Sequence, residues 1–141
     1  MLTSAEEAPV PIPENSALTR IGQIAINVHD VDRATTFYRD VLGLPLLFRA
    51  GQLSFFDCGG VRLMLSAAEK PEFDHPSSIL YFQVADIHAA FHRLQSAGAK
   101  FEDQPHLIAR MPTHDLWITN FRDSENNLLA LMSEVVPAVS P

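Results

Sequence analysis

Six histidines, His29, His75, His88, His92, His106 and His114, are the side chains of this sequence best suited to hold a metal or move a proton. His88 and His92 stand four apart, a spacing that suits chelation from one helical face and equally suits a solvated helix surface. His106, Arg110 and His114 also recur every four residues, but Pro105 and Pro112 argue against a continuous helix through them. They read as loop residues that are bland polar positions, ligand-binding donors or metal ligands. Arg62 interrupts an apolar run, where a charge sits at an edge, is paired, or faces an anionic ligand. Cys58 precedes Gly59 and Gly60 and reads as a small turn residue, with nothing beside it to lower a thiol pKa. No Ser-His-Asp order, phosphate loop or CxxC pattern is present.

Those residues must be carried by one domain. The chain has 141 residues, 47% of them hydrophobic and 19% charged, the profile of a globular protein able to bury a core. A net charge of −7 with no basic cluster argues against nucleic acid as a partner. No apolar run approaches the roughly 18 residues of a membrane span. The single cysteine rules out an intramolecular disulfide and fits a reducing compartment, so a cytoplasmic location is expected. Residues 1–19 are acidic and contain Pro9, Pro11 and Pro13, and read as a flexible leader. The domain proper is expected over 20–136, with 137–141 fraying.

The organising signal is a repeat. Asp30–Gly43 and Asp86–Gly98 each open with a capping aspartate, space apolar residues as a helix does, and close on a glycine suited to the left-handed position after a helix. Alternating strands precede both, at 24–31 and 80–87. Three further strands follow each helix, giving a βαβββ module over 21–66 and another over 79–134, joined by the polar stretch 67–77. Ala34 and Ala90 fall at equivalent positions and are expected in equally tight helix-on-sheet contacts. The closing hairpins align at an offset ten residues larger than the helices do, so the excess is expected in an irregular loop over 103–115.

Two βαβββ modules carrying Val28, Asp30, Ala34, Phe37, Tyr38, Leu42 and Gly43, with the closing run FRDSENNLLAL, resemble the vicinal oxygen chelate superfamily. That superfamily includes glyoxalases, epimerases, extradiol dioxygenases and the bleomycin- and fosfomycin-resistance proteins. The resemblance covers about residues 21–134; Ser124 and Asn126 replace the usual proline and glycine of the closing turn. It implies an α+β fold, a cupped mixed β-sheet with helices on its outer face, and a homodimer. In metal-using members the ligands come from the first and last strands of each module. By motif position they fall here on Gln23, Met64, Ile79 and Ala130, of which only Gln23 could donate. No metal cofactor is therefore expected. The alternative is a metal-dependent lyase, isomerase or dioxygenase whose divalent ion is held by Gln23 and loop histidines.

Alternation turns Gln23, Ala25, Arg62, Met64, Ile79, Tyr81, Leu128, Ala130 and Met132 toward the concavity, with Phe55, Trp117 and Thr119 as weaker candidates. Such an apolar, aromatic lining with a few polar points suits a small molecule, though it equally suits plain core packing. The loop 104–115 is expected to fold over the mouth, with Arg110 and His114 gripping an anionic or aromatic ligand. The expected ligand-binding set is thus Gln23, Phe55, Arg62, Met64, Ile79, Tyr81, Arg110, His114, Trp117 and Ala130. A metal-free binder resembling the bleomycin-resistance branch is the leading functional expectation, with a regulatory or scaffolding module as a weaker one.

Overall fold

A computed structural model describes residues 10–11 and 17–137. Most of the expected leader and all but Pro137 of the expected tail lie outside the described residues.

In the first module β1 (Gln23–Val28) turns Ile26 and Val28 into the core and leaves Gln23 and Ala25 exposed on its other face. Helix α1 (Val31–Thr36) starts where the Asp30 carboxylate accepts the Arg33 N–H. It continues as a π turn over Phe37–Val41 and is released by Gly43 at φ +75°. Strands β2 (Leu46–Ala50), β3 (Leu53–Cys58) and β4 (Val61–Ala67) complete a sheet of order β1-β4-β3-β2, in which β1 and β4 run parallel. A short 3-10 turn, Pro71–Phe73, lies in the connector.

The second module repeats the plan. Strand β5 (Leu80–Gln83) leads to α2 (Ile87–Ser96), capped by the Asp86 carboxylate on the Ala89 N–H and followed by Gly98 at φ +110°. Strands β6 (Lys100–Phe101), β7 (His106–Arg110), β8 (Asp115–Arg122) and β9 (Leu128–Val135) follow, in the order β5-β9-β8-β6, with β7 also paired to β8. The fold is α+β, with two mixed sheets.

The expected irregular loop at 103–115 is corrected. β6 pairs with the end of β8 and β7 with its start, so the two are pieces of one interrupted edge strand. At the interruption Asp103 Oδ1 accepts the Thr119 hydroxyl and the Asn120 N–H, each at 2.8 Å. The ten extra residues extend the sheet because the start of β8 would otherwise leave its backbone groups unpaired. Nor are the two alanines equivalent. Ala34 is fully buried against its sheet, whereas Ala90 is half-buried and lines a cleft between the modules.

One core serves both modules. Ile26, Leu63 and Leu65 of the first sheet and Leu129, Leu131 and Phe121 of the second belong to a single buried cluster, with residues of both helices. The buried apolar set is continuous across both modules.

Candidate ligand-binding site

Alternation along β1, β3 and β4 places Gln23, Phe55, Arg62 and Met64 on the sheet face opposite α1, and the structure brings these four together. The Arg62 Nε–H donates to Gln23 Oε1 at 2.8 Å, and Gln23 Nε2 lies 3.6 Å from Met64 Sδ. The Arg62 guanidinium carbon sits 5.3 Å from the centre of the Phe55 ring, a cation–π contact. On the far side Phe48 stacks on Phe55, ring centroids 4.5 Å apart. Phe48 escapes the sequence reading because a register shift in β2 between Leu46 and Phe48 breaks the alternation that would have placed it. Next to this cluster Ala25, Leu53 and Met64 share a cleft of ≈500 Å³ with Phe73, His75 and Pro76 of the connector.

On module two, Tyr81 lies opposite Ala130, and both share a face with Met132; Ile79 and Tyr81 are exposed. Ile79 borders a more polar cleft of ≈650 Å³ between the modules, with Asn27, His29, Asp74 and Asn127. There His29 Nε2 and Asp74 Oδ1 are 2.8 Å apart and Asn27 Nδ2 donates to the same oxygen. The Asn27 amide, followed by the His29 bond, holds the Asp74 carboxyl below its ordinary range.

Four expected site residues are elsewhere. Trp117 pairs with Ser133 and lies edge-on to His88 of α2, so it faces the helix. Thr119, one alternation further along β8, is buried and bonded to Asp103. Arg110 donates to Asp115 across the β7–β8 hairpin at 3.1 Å, in register with that helix-bearing face. His114 is spent on both nitrogens: Nε2 is 2.8 Å from Glu134 and Nδ1 is 2.9 Å from the Thr113 hydroxyl. Its side chain is only 13% exposed. No lid over 104–115 is formed, because those residues are strand and hairpin turn.

The superfamily's metal does not fit. Of the four positions implied for ligands, Met64, Ile79 and Ala130 offer no hard donor, and the amide oxygen of Gln23 is taken by Arg62. A cation at that oxygen would meet a guanidinium and no carboxylate to offset it. Among the described residues no group of three or more His, Cys, Asp and Glu side chains is placed to share a metal ion.

The closing motif has a role that its sequence did not disclose. Asp123 accepts from the Tyr38 hydroxyl at 2.8 Å, and also from the backbone of Glu125 and Asn127. Burial, and then the Asp123 carboxylate, push the Tyr38 phenol well above its ordinary range. Glu125 accepts Arg33 Nε at 2.7 Å and Nη2 at 3.0 Å, together with the backbone N–H groups of His29 and Asp30. Burial alone would raise the Glu125 carboxyl, but Arg33 and these N–H groups hold it at about 2. The turn after β8 thereby clamps module two onto the start of α1 and keeps the two sheets in fixed relation.

Comparison with known proteins agrees with this architecture. The family model described as Glyoxalase/Bleomycin resistance protein/Dioxygenase superfamily matches residues 20–131. The uncharacterized protein YraH of Bacillus subtilis (strain 168) is 26% identical over 123 residues, 77% of this chain and 94% of that protein. Among solved structures, a glyoxalase/bleomycin resistance protein/dioxygenase from Nocardioides superposes with TM-score 0.68 at 19% identity, covering 91% of this chain and 93% of that one. A lactoylglutathione lyase from Agrobacterium tumefaciens gives TM-score 0.64 at 24% identity, over 84% and 96%. TioX from Micromonospora sp. ML1 gives 0.67 at 20%, over 83% and 100%. At such identities the structures speak for the fold alone, but the family model spans most of the chain. The chain belongs to the glyoxalase/bleomycin resistance protein/dioxygenase superfamily.

Proposed function

We propose that this chain is a small-molecule-binding protein that works without a metal ion, by affinity rather than by bond making, on the exposed face of its first sheet. The observation that carries the reading is the Arg62–Gln23 hydrogen bond, which occupies the only donor among the four positions where relatives would place ligands. What surrounds it is aromatic and partly open: Phe48, 47% exposed, stacked on Phe55, with Met64 and Ala25 alongside. Apolar walls with a few convergent polar groups are the usual makeup of a ligand site.

A homodimer belongs to the same reading. Tyr81 (49% exposed) and Ile79 (43%) leave the corresponding face of the second sheet open as well. A second copy would set that face over the first sheet of its neighbour and close a cup that one chain leaves half built. Light scattering after gel filtration is expected to give twice the chain mass. The enzyme reading is favoured by one feature, the His29–Asp74 pair in the polar inter-module cleft, an imidazole oriented by a carboxylate as a general base would be.

The test is an NMR fragment screen of EDTA-treated protein, repeated on Ala25→Trp, which fills the face at an exposed position. Fragments that bind the parent and lose binding in the variant support the proposal. Hits unaffected by Ala25→Trp, or appearing only when a divalent metal is added, contradict it.

A further inference from the structure

Within that reading, on which this step rests, we infer that Arg62 makes the site selective for flat aromatic or conjugated acids bearing a single carboxylate. Arginine has five N–H donors in a rigid planar fork. Here the Nε–H is committed to Gln23 Oε1, and the plane is further held by the Phe55 ring beneath it. The Nη1 and Nη2 groups have no hydrogen-bond or ion-pair partner among the described residues. A guanidinium oriented by one bond and with its two terminal amines free is set to take both oxygens of a carboxylate. Gln23 is on this account a positioning residue: it fixes the fork without consuming the end that grips.

The rest of the ligand is set by what lies beside the fork. The Phe48–Phe55 pair is stacked at an interplanar angle of 23°, and Phe48 is about half exposed. A flat ring attached to the carboxylate can extend that stack, whereas a flexible alkyl chain would forfeit the geometry. Charge is limited by Asp57, which lies directly opposite Arg62 in the β3–β4 register and therefore on the same face. Its Oδ1 accepts the Gly60 N–H at 3.3 Å, and it makes no ion pair with Arg62. That neighbouring negative charge tolerates a monoanion bound across the fork and penalises a phosphate or dicarboxylate. Arg110 and His114, which looked from the sequence like the anion-binding pair, are already satisfied by Asp115 and Glu134.

The test uses naphthalene-2-carboxylate and its neutral isostere naphthalene-2-carboxamide, titrated calorimetrically into the full chain in the presence of EDTA. The acid is expected to bind at least tenfold tighter than the amide. Arg62→Gln should abolish the preference, so that acid and amide bind alike, and Arg62→Lys, which keeps the charge but not the fork, should remove most of it. Asp57→Asn, which retains the acceptor for Gly60, should widen the preference and admit naphthalene-2,6-dicarboxylate. Equal binding of acid and amide to the parent, or a preference that survives Arg62→Gln, overturns the inference. Fragments that bind this face while both naphthalenes fail would also overturn it and leave the ligand-site reading standing. If no fragment binds the face at all, both fall together.

Discussion

Glu125→Gln is the most informative single substitution in the framework that holds the two sheets together. In the folded chain the Glu125 carboxyl is held at about 2, against an ordinary value of 4.5, by Arg33 and two backbone N–H groups. At about 1.4 kcal/mol per pH unit, that difference corresponds to about 3 kcal/mol in favour of the folded state. Arg33 is 56% exposed, so solvent screens its share and about 2 kcal/mol is the better figure. A carboxyl whose folded pKa is depressed contributes fully above its unfolded value and loses the contribution as pH falls through the folded one. Parent and variant should therefore differ by about 2 kcal/mol at pH 7 and converge between about pH 4.5 and about pH 2. Glutamine keeps one acceptor oxygen for the His29 and Asp30 N–H groups, so the difference reports the lost charge together with the Arg33 Nε–H bond that the second oxygen accepted. The assay is urea unfolding followed by the fluorescence of Trp117, the chain's one tryptophan, with midpoints and slopes compared across the pH series. A difference that stays constant from pH 7 to pH 2, or is absent at pH 7, refutes the reasoning.

Two further outcomes concern packing. Ala34→Phe should overpack the fully buried contact of α1 on its sheet and cost about 1–3 kcal/mol, whereas Ala90→Phe, beside an open cleft, should cost well under 1; equal denaturant midpoints would show that the helices pack alike. Ser133 is fully buried and its hydroxyl has no partner among the described residues, so Ser133→Ala should raise stability by about 1 kcal/mol in the same assay. A loss of that size would mean the hydroxyl is hydrogen-bonded after all.

The fold was legible where one physical rule acts alone. Asp30 and Asp86 cap helices, and Gly43 and Gly98 end them with positive φ, because those side chains satisfy or permit local backbone geometry. The faces of β1 and β4 could be assigned because Gln23, Asn27, Arg62 and Ser66 mark one face while Ile26, Val28, Leu63 and Leu65 mark the other, and Arg62 stood out as the charge on the exposed side. Strand β8 offers no such contrast. Leu116, Trp117, Ile118 and Phe121 are apolar on both faces, so hydrophobicity could not say that Trp117 faces the helix. The roles of Arg110 and His114 turned on their partners. Asp115 is near in sequence but became a partner only through the hairpin register, and Glu134 lies on a neighbouring strand. Tyr38 and Asp123, conspicuous parts of two separate motifs, meet across 85 residues of sequence, a distance that spacing alone does not bridge.

The central claim, a site that binds without a metal, is tested most directly by the melting temperature of EDTA-treated protein with Mn, Ni, Zn, Fe or Mg added in turn. An ion that binds only the folded state must raise that temperature by mass action. The account predicts no change with any of the five. A clear rise with one of them, abolished by Gln23→Ala, would contradict it and place this chain with the metal-dependent enzymes.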